Sequence, residues 1–192
     1  MTYADAANIT STCTSAGYAS GEFSQWKQYD PSWASIPLGT SSSTIKSAGC
    51  LVTSVAIQIA KSGTTVTIPN FNPGTFVQQL NATGTGFTGP NYYWNAPVNS
   101  GVAPNFVHVG DVMLTGSTSQ RAAEMQRYQS QGYYIVIRAK TNQHWVALDR
   151  VEGGTVYIND PGSNAVSLWD KYGLDGPSRV NGTRIALYKN NG

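Results

Sequence analysis

The spacing of apolar residues predicts a helix directly after Cys50. Between Leu51 and Lys61 they recur at three- and four-residue intervals, as in a helix that buries one face. Gly63 follows as a C-terminal cap, because glycine readily adopts the left-handed conformation that ends many helices. The helix therefore begins at or next to Cys50. A second, shorter helix is predicted over residues 73–80.

A third helix is predicted from "TSQRAAEMQRYQSQG", with residues 117–119 supplying its cap and Gly132 ending it. After this helix the period changes to that of strands. The runs "YYIVIRA", "HWVALDRV" and "TVYIND", and later "RIALYK", are short, rich in β-forming residues and separated by turn residues. Helices first and strands later predict an α+β fold, with an antiparallel sheet packed against helices.

Residues 84–105 are rich in Gly, Pro and Asn and predict a long loop. Loops of this length often form part of a functional site. Tyr92, Tyr93 and Trp94 lie in its middle, so they are candidates for substrate binding. The alternative is that these three aromatic side chains only anchor the loop to the core.

The stretch from His144 to Asp160 predicts a β-hairpin that turns at Glu-Gly-Gly, residues 152–154. A two-residue loop would put Asp160 opposite Ala147, whereas a three-residue loop would put it opposite Val146. Only the second arrangement places Asp160 on the same face as His144, because side chains alternate along a strand. We therefore expect a three-residue loop with one glycine left-handed. We also expect a hydrogen bond between the His144 ring and the Asp160 carboxylate.

Composition narrows the class of protein. The 192 residues suit one domain, predicted as 21–192 after an N-terminal arm of residues 1–20. Charged residues make up only 11% and the net charge is +2, which argues against a nucleic-acid partner. No apolar stretch is long enough to span a membrane, and the start lacks the features of a signal peptide. Two cysteines, Cys13 and Cys50, form no disulfide framework, although a single bridge between them stays open.

The position of Cys50 suggests a nucleophile. A thiol attacks as the thiolate, which a helix N-terminus and a neighbouring imidazolium both stabilise. The chain has two histidines, His108 beside a Gly-Asp sequence and His144 at the start of a strand. Asn159 and Asp160 end the next strand. Cys50, His144 and one of these two side chains would supply a nucleophile, a base and a group that orients the imidazole. Taken singly, each of these residues is as readily explained by packing or by a turn.

These residues lie in segments that resemble the papain-like superfamily, and within it the C39-like cysteine peptidases. The segments are "QYDPSWASIPLG", "AGCLVTSVAIQIAKSG" and "YQSQGYYIVIRAKTNQHWVALDRVEGGTVYINDPGS", about a third of the chain. The resemblance implies a papain-like fold, in which an N-terminal helical part with the nucleophile helix packs against a C-terminal antiparallel sheet. It also implies Cys50 as nucleophile, His144 as base and Asp160 as orienting acid. Gln28 would belong to the oxyanion hole; Gln25 competes for that role, or Gln28 only caps a turn.

The function that follows is a cysteine hydrolase that cleaves amide bonds, with cell-wall peptides of peptidoglycan as the preferred substrate. A protease acting on proteins or leader peptides is the alternative among enzymes, and an inactive peptide- or glycan-binding module is the alternative outside them. We expect Trp145 beside the site as a further substrate-binding candidate, no cofactor or metal, and a monomer. We also expect a protein that is secreted or released by a route other than a visible signal peptide.

Overall fold

The computed structural model describes residues 23–139, 144–173 and 182–192, and the predicted N-terminal arm with Cys13 lies outside these ranges. The helices are α1 (Ile45–Ala48), α2 (Cys50–Ser62), α3 (Pro73–Thr83), α4 (Ala96–Asn99), α5 (Thr118–Ser130) and α6 (Leu168–Tyr172). The strands are β1 (Phe87–Thr88), β2 (Asn91–Tyr92), β3 (Phe106–Leu114), β4 (Tyr133–Arg138), β5 (Trp145–Glu152), β6 (Thr155–Asn159) and β7 (Thr183–Asn190).

The helices predicted from the apolar pattern are present. Helix α2 begins at Cys50 and ends at Ser62, and Gly63 caps it in the left-handed conformation, with φ of 63°. Helix α3 begins at Pro73, behind a capping box formed by Asn72 with the third residue of the helix, and runs three residues beyond the predicted end. Helix α5 is capped by the side chain of Ser117, as predicted. Local sequence therefore determines where these helices begin.

The larger sheet has five strands in the order β3-β7-β4-β5-β6, all antiparallel. The α+β class and the antiparallel sheet are confirmed. Edge strand β3 was not predicted, and the Gly-Asp sequence beside His108 lies within this strand and forms no turn. A bulge lies between His108 and Gly110 and accounts for the turn-like sequence.

Helices pack against both faces of the sheet. Val136 of β4 and Ala186 of β7 belong to the buried cluster that contains the apolar face of α2. Their neighbours Ile137 and Ile185 point the other way, into a cluster that contains Met125 of α5. All five side chains are fully buried. Burial of one such aliphatic side chain contributes about 1.5–3 kcal/mol, so the alternation in β4 and β7 holds both helices in place.

Polar side chains of α2 fix the helix to β5. Ser54 donates to the backbone oxygen of Trp145 over 3.2 Å, and Gln58 donates to that of Leu148 over 2.9 Å. Lys61 forms a buried ion pair with Asp149, with 2.9 Å between Nζ and Oδ1. These donors recur about once per turn, so they lie on one face of α2. The helix that begins at Cys50 is therefore held in register with the strand that follows His144.

The hairpin loop differs from the prediction. Glu152 pairs with Thr155, so the loop holds only Gly153 and Gly154. Both glycines are left-handed, with φ of 57° and 81°, as in the two-residue turns that match the twist of a hairpin. The expected three-residue loop is wrong.

A bulge within β5 places Asp160 on the same face of the sheet as His144, where a two-residue loop alone would not have placed it. The register shifts by one residue at Asp149, and Ala147 pairs with Asn159. Extended by one residue, this pairing places Asp160 opposite Val146. The expected relation between the strand ends is therefore present, produced by a bulge in mid-strand instead of an odd loop.

The segment 84–105 is more regular than a loop. It contains the short antiparallel pair β1 and β2, with Phe87 opposite Tyr92, and helix α4. Tyr93 donates its backbone N–H to Gly86 over 2.9 Å, which extends the pairing. The prediction of an unstructured loop is wrong at these positions, because elements of two to four residues leave no periodic pattern in a sequence.

Candidate active site

Cys50 is the first residue of α2 and lies at the edge of the buried core. The residue is 9% exposed, and its thiol forms no disulfide with any residue that the structure describes. Gly49 joins α1 to α2 and serves as the N-cap of α2 without any side-chain hydrogen bond. A Cβ at this position would lie 2.5 Å from the backbone oxygen of Ile45. The close approach of α1 therefore requires glycine immediately before the cysteine.

His144 lies directly before β5 and connects Cys50 to Asp160. Its Nε2 is 2.8 Å from Oδ1 of Asp160, and its ring also forms a side-chain hydrogen bond with Cys50. The imidazole side chain is 18% exposed, whereas the Asp160 carboxylate is fully buried. The order along the network is thiol, imidazole, carboxylate.

The network favours the imidazolium. Burial alone would lower the pKa of His144, but its hydrogen bonds to Asp160 and Cys50, and its attraction to both, raise that pKa to about 9. For Asp160, burial favours the neutral acid, yet hydrogen bonds from His144, Ser163 and Tyr172 hold its pKa below the usual value. At neutral pH the structure therefore supports an imidazolium beside an ionised carboxylate.

Every oxygen of the Asp160 carboxylate is occupied. Oδ1 accepts from His144 and, over 2.8 Å, from the backbone N–H of Gly162. Oδ2 accepts from Ser163 Oγ over 2.6 Å and from the Tyr172 hydroxyl. Burial, and then the bond to Asp160, raise the pKa of Tyr172, so the phenol stays neutral and donates. Four donors fix this carboxylate in one orientation.

Gly162 leaves room for the imidazole. A Cβ placed on it would lie 2.7 Å from Cε1 of His144, a distance that real Cβ atoms almost never show. Lys27 also stabilises this turn. Its Nζ donates to the backbone oxygens of Asp160 over 2.8 Å and of Ser163 over 2.5 Å. Burial lowers the pKa of Lys27. The turn after β6 is thus shaped to hold the histidine ring.

Gln28 joins the two sides of the site. Its backbone N–H donates to Pro161 over 2.9 Å, and its side-chain Nε2 donates to the backbone oxygen of Lys46, in α1, over 2.7 Å. Gln25 instead lines a cavity of about 350 Å³ on the side of Lys27 and Asn159. Of the two glutamines, only Gln28 bonds to the segment that leads into the cysteine.

A cleft of about 470 Å³ opens at Cys50. Tyr92 and Trp145 line it, as predicted candidates for substrate binding. Tyr93 and Trp94 instead line a separate, more open cavity of about 580 Å³. The proposed group of aromatic residues is therefore divided between two surfaces.

The remaining candidates lie away from the thiol. His108 stacks on Trp94, with ring centroids 5.1 Å apart, and bonds to Asp111 over 3.1 Å. Asn159 is 3% exposed, and its Nδ2 has no hydrogen-bond partner in the part of the chain that the structure describes. Asp160, and not Asn159, therefore contacts His144. The catalytic roles of Cys50, His144, Asp160 and Gln28 remain predictions.

Sequence reasoning missed four members of the network: Lys27, Gly162, Ser163 and Tyr172. A signal existed for two of them. "DPGS", residues 160–163, is a turn sequence in which the aspartate side chain accepts from residues two and three further on. Tyr172 is the last residue of α6, a separate helix, so only the tertiary structure brings it to Asp160.

In the part of the chain that the structure describes, no helix has both the length and the apolar character needed to cross a membrane. Nor do three or more His, Cys, Asp or Glu side chains among these residues form a group that could hold a metal ion.

Comparisons with known proteins give one distant structural similarity. No family model matches the chain, and no curated protein matches it. The fold is similar to a crystal structure described as a "putative C39-like peptidase" from Bacillus anthracis, at 19% sequence identity and a TM-score of 0.42. The similarity covers 80% of this chain and 91% of the other. Identity at this level establishes neither family nor activity, so the function must be inferred from the site itself.

Proposed function

We propose that this protein is a cysteine hydrolase of the papain-like type, which cleaves amide bonds with Cys50, His144 and Asp160. One observation carries the proposal. The His144 ring bonds to the Asp160 carboxylate through Nε2 over 2.8 Å and also bonds to the Cys50 side chain. A nucleophile, a base and an orienting acid in this order are the parts that thiol hydrolysis requires.

The reaction follows from the protonation states. The thiolate of Cys50 attacks the amide carbonyl carbon, and a C–S bond forms while the carbonyl oxygen gains negative charge. The His144 imidazolium gives its proton to the departing nitrogen, and the C–N bond breaks to leave a thioester. Neutral His144 then takes a proton from water, which attacks the thioester and releases the acid and the thiolate. Asp160 keeps the ring oriented throughout.

Charge on the carbonyl oxygen requires hydrogen-bond donors. We assign this role to the backbone N–H of Cys50, at the positive end of α2, together with the side-chain amide of Gln28. Gln28 Nε2 carries two hydrogens, and its bond to Lys46 uses only one of them. We propose that the second binds the substrate oxygen.

The substrate that we propose is a peptide of the bacterial cell wall. The 470 Å³ cleft and its aromatic side chains, Tyr92 and Trp145, suit a short peptide segment. A net charge of +2 favours approach to an anionic wall. We further propose that the protein acts as a monomer outside the cell that makes it.

Digestion of purified peptidoglycan, with mass spectrometry of the released fragments, tests the proposal. Fragments with new amine and carboxyl ends are expected from the native chain, and none from Cys50→Ala or His144→Ala. Cys13→Ser and His108→Ala serve as matched controls and should keep near-native activity. Equal loss of activity from Cys13→Ser and Cys50→Ala would instead indicate a disulfide. Binding to the wall without any cleavage would indicate a binding module.

A further inference from the structure

Two arginines and a tryptophan form a row across neighbouring strands at the edge of the Cys50 cleft. Arg138 of β4 pairs with Trp145 of β5. On the other side of β4, Ile137 pairs with Ile185 of β7, so the next position places Arg138 opposite Arg184. The order across the sheet is therefore Arg184, Arg138, Trp145.

The row faces the side of the sheet that carries Cys50. Val136 and Ala186, two residues from Arg138 and Arg184, pack in the cluster that includes α2. Side chains two residues apart share a face of the sheet. Arg138, Arg184 and Trp145 accordingly line the same cleft as the thiol.

Placing two guanidinium groups on neighbouring strands has an electrostatic cost. Arg184 is partly compensated, since its Nε lies 3.0 Å from Asp111 Oδ2 and its Nη2 bonds to the same oxygen. Its guanidinium carbon also lies 5.5 Å from the centroid of the Trp145 ring. Asp111 is not part of the cleft lining, and the described residues that do line it include no Asp or Glu. Among the described residues, the lining of the cleft beside Cys50 therefore contains two arginines and no acid.

We propose that Arg138 and Arg184 recognise a carboxylate of the substrate, close to the bond that Cys50 cleaves. The proposal rests on the hydrolase function above and adds the substrate class to it. A guanidinium binds a carboxylate through two parallel hydrogen bonds, and the ring of Trp145 contacts the Arg184 guanidinium from the side of the cleft lining. The carboxylate belongs either to an acidic side chain or to the C-terminus of the peptide.

Alkylation of Cys50 tests the cationic wall without any hydrolysis. Iodoacetate and iodoacetamide are nearly the same size and differ in one negative charge. The alkylation ratio is the rate of the Cys50 reaction with iodoacetate divided by its rate with iodoacetamide. In a Cys13→Ser background, this ratio should fall about threefold or more in Arg138→Gln and in Arg184→Gln. It should be kept in Arg184→Lys, which retains the charge. Arg127→Gln removes an exposed, ion-paired arginine on α5 and should leave the ratio unchanged.

Matched substrates identify the source of the carboxylate. Internally quenched alanine–glycine hexapeptides would carry Glu or Gln at one position, with the C-terminus unblocked or amidated. We expect kcat/KM to be about 10- to 100-fold higher either for the Glu peptide than for the Gln peptide, or for the unblocked C-terminus than for the amidated one. Arg138→Gln should reduce that preference, with native melting behaviour as the check on folding.

The two proposals can fail separately. A charge-dependent alkylation ratio without cleavage of any peptide or cell wall would overturn the hydrolase and keep the carboxylate site. Cleavage with no difference between Glu and Gln or between the two C-termini, and an alkylation ratio unchanged in both arginine variants, would overturn the carboxylate site and keep the hydrolase. An alkylation ratio that falls as much in Arg127→Gln would also overturn it.

Discussion

Gly162 and His144 are in contact so close that no side chain fits between them: a Cβ on Gly162 would lie 2.7 Å from the imidazole Cε1. The backbone N–H of the same glycine donates to Asp160 over 2.8 Å. One residue therefore both shapes the space for the ring and helps to fix its carboxylate partner.

Gly162→Ala should lower kcat about 100-fold, because a methyl group displaces the imidazole by a substantial fraction of an ångström from Asp160. The measurement is steady-state kinetics together with the imidazole pKa from NMR, which should fall from about 9 as the bond to Asp160 weakens. Gly86→Ala, whose Cβ would lie 2.5 Å from Leu80 Cβ, is a control clash elsewhere. It should lower stability and leave the His144 titration in place.

Cys50→Ala should lower the pKa of His144 below about 9, because a hydrogen bond and an electrostatic attraction that raise it are both removed. The imidazole resonances of the two histidines report this directly by NMR titration. Cys13→Ser should leave the midpoint near 9. An unchanged midpoint in Cys50→Ala would mean that the thiol and the imidazole do not interact.

Activity should decline as pH rises through about 9, where His144 loses the proton that the departing amine requires. The stability effect has the same sign. The folded-state pKa lies above the ordinary value of about 6.5, so the stabilisation is complete below 6.5 and is lost as pH rises through 9. A pH profile of kcat/KM and melting curves over pH 6–10 would measure both. A profile that is flat to pH 10 would contradict the imidazolium.

Asp160→Ala should reduce activity less than Cys50→Ala does, because it removes orientation and not the nucleophile. Its effect on stability should be larger. The donors from His144, Ser163 and Tyr172 lose a buried acceptor, which costs about 3–5 kcal/mol. Urea denaturation and kinetics on the same samples separate the two effects. Activity loss equal to that of Cys50→Ala in a folded variant would give Asp160 a more direct part in the chemistry.

Gln28→Ala should lower kcat about 100- to 1000-fold with a small change in KM, since an oxyanion donor acts mainly in the transition state. Gln25→Ala is the matched control, because Gln25 lines a different cavity. It should change kcat less than twofold. If the two glutamines exchanged these effects, the oxyanion role would belong to Gln25.

The sequence alone determined the local elements that hold the nucleophile. The apolar spacing after Cys50 and the glycine at position 63 gave the limits of α2, because a helix depends on neighbours three and four residues apart and on its caps. The turn chemistry of Gly153 and Gly154 likewise followed from residue type. Edge strand β3 was missed, since only its two end residues are buried and a bulge interrupts its period.

Only the tertiary structure decided how these elements meet. The bulge at Asp149, which is held by Lys61 of α2, returns Asp160 to the side of His144 after a two-residue turn. Tyr172 reaches Asp160 from a separate helix, and Arg184 reaches the cleft from the last strand of the chain. Strand register and contacts between distant segments depend on packing across the whole core, and no local pattern of residue types encodes them.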